Sequence, residues 1–293
     1  RVTGKLIWPI EERSVGQTDA KGECTAATQP FPTKPPAFDL QGVSLDNLID
    51  FTPAIRQQAL QVLEGYKWGP IYTPPPAAAS GSKGLIQVPG LGGGPNWQSG
   101  AGDPELGYVF VGSATNPGTV LLNPIANPTL TPDSACCDAD YTMGGTAPQL
   151  ANGLRLLKPP YGRITAYDMN KGTIAWQIPN GGTPPNIKAN LEKAGLTSVP
   201  PTGSPSQAGL LVTKNFLFAG EGSGGQAVFH AYDKRTGQEV WQAPLPAGPQ
   251  SALPMSYMYN GRQYVVLATR GPQGGGAQLV AWAIAPPAPE GGA

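Results

Sequence analysis

Few residues in this chain could do chemistry, and spacing narrows them further. His230 is the single histidine. It directly precedes an Ala-Tyr-Asp turn, and no Ser/Asp partners complete a nucleophilic triad around it without help from elsewhere. Its place in an alternating strand pattern favours a structural or surface role. Asp168 and Asp233 resemble acid–base carboxylates in isolation. Each opens a turn, where a carboxylate hydrogen-bonds the backbone amides that follow, so local bonding is the expected role. The cysteines are Cys24, Cys136 and Cys137. None has the Cys-x-x-Cys or Cys/His spacing of a zinc site. Loop thiols, one ordinary disulfide to Cys24 and a strained vicinal Cys136–Cys137 bridge all remain open, and an odd count leaves at least one thiol without an intrachain partner. The last candidate is the run GGGPNW, residues 92–97. Its Asn96, next to glycine-rich backbone, has the position of a turn cap, and Trp97 follows it.

The elements that must position these residues are strands. AYDMNKGTIAW (Ala166–Trp176) and AYDKRTGQEVW (Ala231–Trp241) share the pattern Ala-x-Asp-x-x-x-Gly-x-x-x-Trp and lie 65 residues apart. A short apolar run ends in a small residue, Asp opens a turn, Gly takes the conformation a β-branched residue could not, and a second strand delivers a Trp. This is a hairpin, and its recurrence marks a repeat architecture. Gly4 and Trp8 repeat the Gly-to-Trp spacing alone, which predicts that the chain opens inside a repeat. Buried core positions are expected for Trp8, Trp176 and Trp241. Ala101, Asp103 and Gly107 match the first half of the pattern, but Val111 stands at the Trp position, so this reads as a different hairpin.

Composition agrees with a β-rich body. With 19 basic and 19 acidic residues the formal charge is zero, so no basic stripe argues for nucleic acid or an anionic membrane. Gly and Pro number 40 and 34 and punctuate patterned apolar runs, which reads as turns and long ordered loops. No stretch has the roughly 18 unbroken apolar residues of a membrane span. The segment 9–42 is polar and Pro-punctuated, and QPFPTKPPAFD is expected to lie over a surface because Pro cannot donate to a ladder. One clear helix is predicted, with Thr52 as N-cap, Pro53 in the first position, an apolar stripe of Ile55, Ala59, Leu63 and Tyr66, and Gly65 as its stop. A shorter helical turn covers Leu45 to Ile49. Residues 122–158 read as an irregular insertion and Pro179 to Pro205 as a Pro-rich loop. Strands are expected near 208–213, 215–219, 253–258, 263–268 and 278–284. Grouped in fours, they give an all-β fold, a β-propeller of roughly three blades with one short helical insertion. The divisions are 1–83 (the end of one blade, the extended loop and the helix), 84–285 (propeller blades) and 286–293 (a flexible tail). Glu11, Glu12 and Arg13 are either a solvated charge run or an inter-blade ion pair.

These residues resemble a known family. The docking hairpin is similar to the tryptophan-docking motif of the eight-bladed quinoprotein dehydrogenases. WPIEERSVGQ, TQPFPTKPPAFDLQGV, LIDFTP, GGGPNW, KPPYGRITAYD, GLLVTKNFLFAGEG and LPMSYMYNGRQYVV look like the C-terminal part of pyrroloquinoline-quinone (PQQ) dehydrogenases of the membrane glucose dehydrogenase type. The resemblance implies two-electron oxidation of an alcohol or aldose hydroxyl by PQQ. It implies that Asn96 hydrogen-bonds a quinone oxygen with Trp97 packed beside it. It places the catalytic aspartate, the calcium ligands and the adjacent-cysteine pair upstream, so no catalytic or metal residue is carried over here. Alcohol-oxidising members have a ring-covering tryptophan just before the strand equivalent to Leu210–Val212. Here Ser206, Gln207 and Ala208 stand there, pointing to the sugar-oxidising branch or a different pocket. Ala268 to Gln273 lack the histidine of glucose-oxidising members. The implied partners are an upstream propeller polypeptide that completes the ring, a small alcohol or sugar, and a quinone or cytochrome c as electron acceptor. The implied location is the periplasm, with membrane association only through other parts of the protein. The other reading is a non-catalytic propeller that serves as a binding scaffold.

Overall fold

The computed structural model describes residues 2–125, 140–247, 253–270 and 275–283. Cys136, Cys137, most of the expected 122–158 insertion's centre and the 286–293 tail lie outside the described residues. In chain order the elements are β1 (Ile10–Ser14), β2 (Thr28–Pro32), α1 (Pro53–Leu63), β3 (Leu85–Gln87), β4 (Gly100–Asp103), β5 (Tyr108–Ala114), β6 (Gly118–Pro124), β7 (Tyr141–Gly144), β8 (Gly162–Asp168), β9 (Thr173–Pro179), α2 (Pro185–Lys193), β10 (Leu210–Val212), β11 (Phe216–Gly220), β12 (Val228–Asp233), β13 (Glu239–Pro244), β14 (Met255–Tyr259), β15 (Arg262–Thr269) and β16 (Gln278–Ala283). The protein is mostly β. Two antiparallel four-stranded sheets run β4-β5-β8-β9 and β10-β11-β12-β13, and a three-stranded sheet runs β14-β15-β16. Beside them stand the sheet β3-β6-β7 and the ribbon β1-β2.

The two full repeats form equivalent hairpins. In each, the register shifts by one residue after the repeat alanine, at Ala166/Tyr167 in β8–β9 and at Ala231/Tyr232 in β12–β13. Asp168 Oδ1 accepts from the amides of Asn170 (3.0 Å) and Lys171 (3.2 Å). Asp233 Oδ1 accepts from Arg235 (2.8 Å) and Thr236 (3.0 Å). Asp103 Oδ1 does the same for Glu105 (3.0 Å) and Leu106 (3.4 Å) in the β4–β5 turn. Gly172 and Gly237 close their turns at φ +66° and +74°, where a side chain would be strained.

Those two glycines also carry the contacts between repeats. A Cβ on Gly172 would lie 2.8 Å from the Trp8 ring, and one on Gly237 would lie 2.8 Å from the Trp176 ring. Each indole therefore rests on bare backbone of the following repeat. Trp176 Nε1 also donates to Lys234 O at 3.2 Å. All three tryptophans depart from the expectation of full burial: Trp8 and Trp176 are half-buried, and the most open of them is Trp241. It is 39% exposed, because no third glycine turn covers it among the described residues.

β8 is buried along its whole length. Ile164 and Ala166 join Phe110, Leu210, Leu217 and Ala219 in the core between the two four-stranded sheets. Phe229, Leu245, Val265 and Leu267 fill the next interface. A third core lies under α1 and α2 and contains Ile55, Ala59, Leu63, Ile187 and Leu191.

α1 matches its sequence signals. Thr52 Oγ1 accepts from Ile55 N at 3.2 Å and Pro53 occupies the first position. Three expectations need correction. The Pro179–Pro205 loop contains a second helix, α2, started by Pro185 at a position that needs no amide. The expected irregular stretch holds part of β6 and all of β7, which pair with each other. TQPFP does form a strand. In β2, Pro30 and Pro32 fall at alternate positions, and Thr33 N, one residue on, donates to Pro9 O (3.1 Å). The missing amides thus point away from β1, which an edge strand tolerates.

Candidate functional site

The β4–β5, β8–β9, β10–β11 and β12–β13 turns lie at one end of the two four-stranded sheets. Asn170 Nδ2 donates to Leu106 O (3.2 Å), the Lys234 ammonium pairs with Asp103, and Lys234 N reaches Asn215 O at 3.4 Å. The described parts of the connection between β5 and β8, the connections 180–209 and 221–227, and the loop that precedes β4 therefore leave the sheets at the opposite end. Asp168 and Asp233 stay at the turn end, bonded to backbone amides as the sequence led us to expect, and Asp168 Oδ2 also accepts from Lys171 Nζ at 2.8 Å.

The connection end carries Asn96 and Trp97. Asn96 Oδ1 caps the short helical turn Trp97–Ser99 by accepting from Trp97 N at 2.8 Å. Its Nδ2 has no hydrogen-bond partner among the described residues, and the residue is exposed. Trp97 is 79% exposed, standing free rather than packed. The loop base is tied by Gly93 N to Gly90 O (2.9 Å) and by Ala114 N to Gly94 O (3.1 Å). Gln207 Nε2 donates to Gly92 O at 3.4 Å, so the structure brings the GGGPNW loop together with the Ser206–Ala208 stretch.

Beneath the loop lies a charged set with no sequence motif. Thr115 Oγ1 donates to Asp39 Oδ1 at 2.6 Å. Arg163 Nη1 stands 3.3 Å from the same oxygen, and Arg163 Nη2 donates to Thr115 Oγ1 at 2.6 Å. The Arg163 and Asp39 side chains are 8% and 2% exposed. Burial pulls the guanidinium pKa down while Asp39 opposes that shift. The three residues are 76 and 48 positions apart, so no local spacing could have found them.

His230 has the structural role its strand position suggested. Its Nδ1 lies 2.7 Å from Glu239 Oε1 and its Nε2 3.3 Å from Glu221 Oε1, and its ring stacks on Tyr232. Burial disfavours the charged imidazole, but the hydrogen bonds to Glu221 and Glu239 outweigh it and raise the pKa above the ordinary value. Glu11 and Arg13 pair with each other at 2.7 Å on the surface, and Arg13 also covers Phe31. Among the described residues no three His, Cys, Asp or Glu side chains gather in a metal-binding group, and no helix is long and apolar enough to cross a membrane.

Successive antiparallel four-stranded sheets, packed face to face and built on a recurring hairpin, are the architecture of a β-propeller. The chain belongs to the PQQ glucose/ethanol/alcohol dehydrogenase β-propeller family, whose model matches residues 1–265. The glycerol dehydrogenase large subunit of Gluconobacter thailandicus is 30% identical over 294 residues, covering 92% of this chain and 38% of the relative. The quinate/shikimate dehydrogenase (quinone) of Acinetobacter baylyi is 28% identical over 292 residues, covering 92% and 34%. The solved quinohemoprotein alcohol dehydrogenase of Comamonas testosteroni aligns with 62% of this chain and 23% of its own, at 23% identity and a TM-score of 0.40. The chain thus spans between about a third and two fifths of the curated relatives it matches.

An open amide donor beside bare backbone is what one edge of a flat, acceptor-rich quinone would need. Asn96 offers an unspent amide donor, Gly92 to Gly94 place no side chain in the way, and the Trp97 indole stands exposed beside them.

Proposed function

We propose that this chain is the C-terminal portion, roughly three blades, of a PQQ- and calcium-dependent dehydrogenase that oxidises an alcohol or aldose hydroxyl. The observation that carries this reading is the free Asn96 amide on a glycine loop at the connection end, in a chain of the PQQ propeller family. PQQ, when bound, supplies the two-electron acceptor. The residues of this chain orient it. Asn96 Nδ2 would supply a hydrogen bond to a quinone oxygen, and Trp97, Ser206 and Gln207 would line the site around it. The catalytic base and the calcium ligands come from the upstream part of the propeller.

The indole contacts on Gly172 and Gly237 support reading Trp8 and Trp176 as docking residues between blades. Trp241 meets the next sheet differently, edge-on against Trp282 of β16 with ring centroids 5.9 Å apart. The upstream polypeptide covers the open face of that last sheet. The proposed location is the periplasm, and the proposed acceptor is a quinone or a cytochrome c. An absorption spectrum of the complete native protein, with dye reduction measured on panels of alcohols and sugars, tests the reading. A bound-quinone band and quinone-dependent turnover are expected. A protein that takes up no PQQ and reduces no dye would leave a binding scaffold as the function.

A further inference from the structure

We infer that Asp39, Thr115 and Arg163 form a buried positioning set that fixes the Gly92–Trp97 loop and so sets where Asn96 presents its amide. This rests on the proposed quinone role of that loop. One carboxylate oxygen of Asp39 is fully used, accepting from Thr115 Oγ1 (2.6 Å) and Leu40 N (2.7 Å) with Arg163 Nη1 at 3.3 Å. The other oxygen faces the loop. A Cβ on Gly94 would lie 3.3 Å from Asp39 Oδ2, so the loop backbone rests directly over the carboxylate. The neighbouring residue on the other side, Ala114, holds Gly94 O through its amide at 3.1 Å. Thr115 therefore couples a strand end that grips the loop to the acid beneath it.

Asp39 cannot shift freely, because the strap that carries it is fastened to β8 and β9. Tyr167 Oη donates to Pro36 O (2.5 Å), and Gln177 Nε2 donates to Phe38 O (3.2 Å) and to Thr165 Oγ1 (2.7 Å). Arg163, Thr165 and Tyr167 alternate along the face of β8 opposite Ile164 and Ala166. The guanidinium is anchored in turn by Pro160 O at 2.6 Å. A buried ion pair seldom stabilises more than well-packed apolar groups of its size, and fixing one geometry is its best-attested use. The protein contains its own contrast. The Lys234–Asp103 pair is equally buried but joins two turns at the far end of the same sheets. It should affect stability alone.

The test uses the complete native protein and three variants, Thr115→Val, Asp39→Asn and, as the far-end control, Asp103→Asn. Backbone amide exchange is read for residues 92–99 and Ala114, and apo-protein is titrated with PQQ. Thr115→Val exchanges the hydroxyl for a methyl of similar size and keeps the experiment decisive where Asp39→Asn fails to fold. Thr115→Val and Asp39→Asn should speed exchange in the loop at least tenfold and raise the PQQ dissociation constant at least tenfold. Asp103→Asn should lower the melting temperature while leaving both within twofold. Loop exchange unchanged in Thr115→Val, or raised equally by Asp103→Asn, would overturn the inference. Exchange needs no quinone, so a wild-type protein that binds none would count against the functional reading and leave this inference to the exchange data.

Discussion

His230 bridges Glu239 and Glu221 from a strand interior, and the consequence is a pH dependence with a definite sign. Its folded pKa lies above the ordinary imidazole value of about 6.5. The stabilisation it gives is therefore complete below the unfolded value and is lost as pH rises through the folded one. Denaturant midpoints should fall as pH rises from below the ordinary imidazole value through the raised one, and His230→Gln should reduce that fall. A fall of the same size in the variant would assign the slope to other groups. Asp103 acts in the opposite direction. Burial opposes its charge, but Lys234 and two backbone amides outweigh this and lower its pKa. Its contribution is present above the unfolded carboxylate pKa and is lost as pH falls through the lowered one. Single residues were legible in the sequence only where a local pattern held them. Asp168 and Asp233 revealed their turns, and Asn96 its cap. Asp39, Thr115 and Arg163 meet through three separate segments, and no spacing along the chain records that.

Hairpins were the elements most legible, because an Asp-to-Gly turn and a strand alternation are local physics repeated twice. The register shift after each repeat alanine was not, since it depends on pairing rather than composition. α2 escaped notice because prolines surround it and only Ile187 and Leu191 mark its buried face. β2 escaped notice because edge pairing exempts alternate residues from donating. The docking contact makes a quantitative prediction. Trp176→Ala should destabilise the complete protein by about 3–5 kcal/mol, as large core truncations do. Gly237→Ala should cost about 1–3 kcal/mol from its left-handed backbone alone, plus the clash of a Cβ 2.8 Å from the Trp176 ring. Denaturant melting measures both. Losses below about 1 kcal/mol would mean that the indole is peripheral.

At the scale of the molecule, the sheet β14-β15-β16 shows three strands where its neighbours have four, among the described residues. Met255, Met258, Tyr259 and Leu279 are exposed on it, and an apolar cavity of about 800 Å³ opens between it and β10-β11-β12-β13, lined by Phe216, Phe218, Phe229, Trp241 and Trp282. An exposed apolar face of this kind invites association. Residues 1–293 expressed alone should aggregate or self-associate and reduce no dye, as solution size and turnover would report. A cooperative monomer that oxidises an alcohol or sugar would contradict that. The propeller class was readable from repeats, whereas the helical core at the connection end was only half readable. The central claim is that this chain helps to hold a quinone through Asn96. Titrating the complete apo-protein with PQQ, followed by quinone absorbance, tests it most directly. One hydrogen bond to a polarised oxygen is worth about 1.5–3 kcal/mol, so Asn96→Ala should raise the dissociation constant by about ten- to a hundredfold with the fold intact. Equal affinity in wild type and variant would remove Asn96 from the site, and saturable binding lost in the variant would place it there.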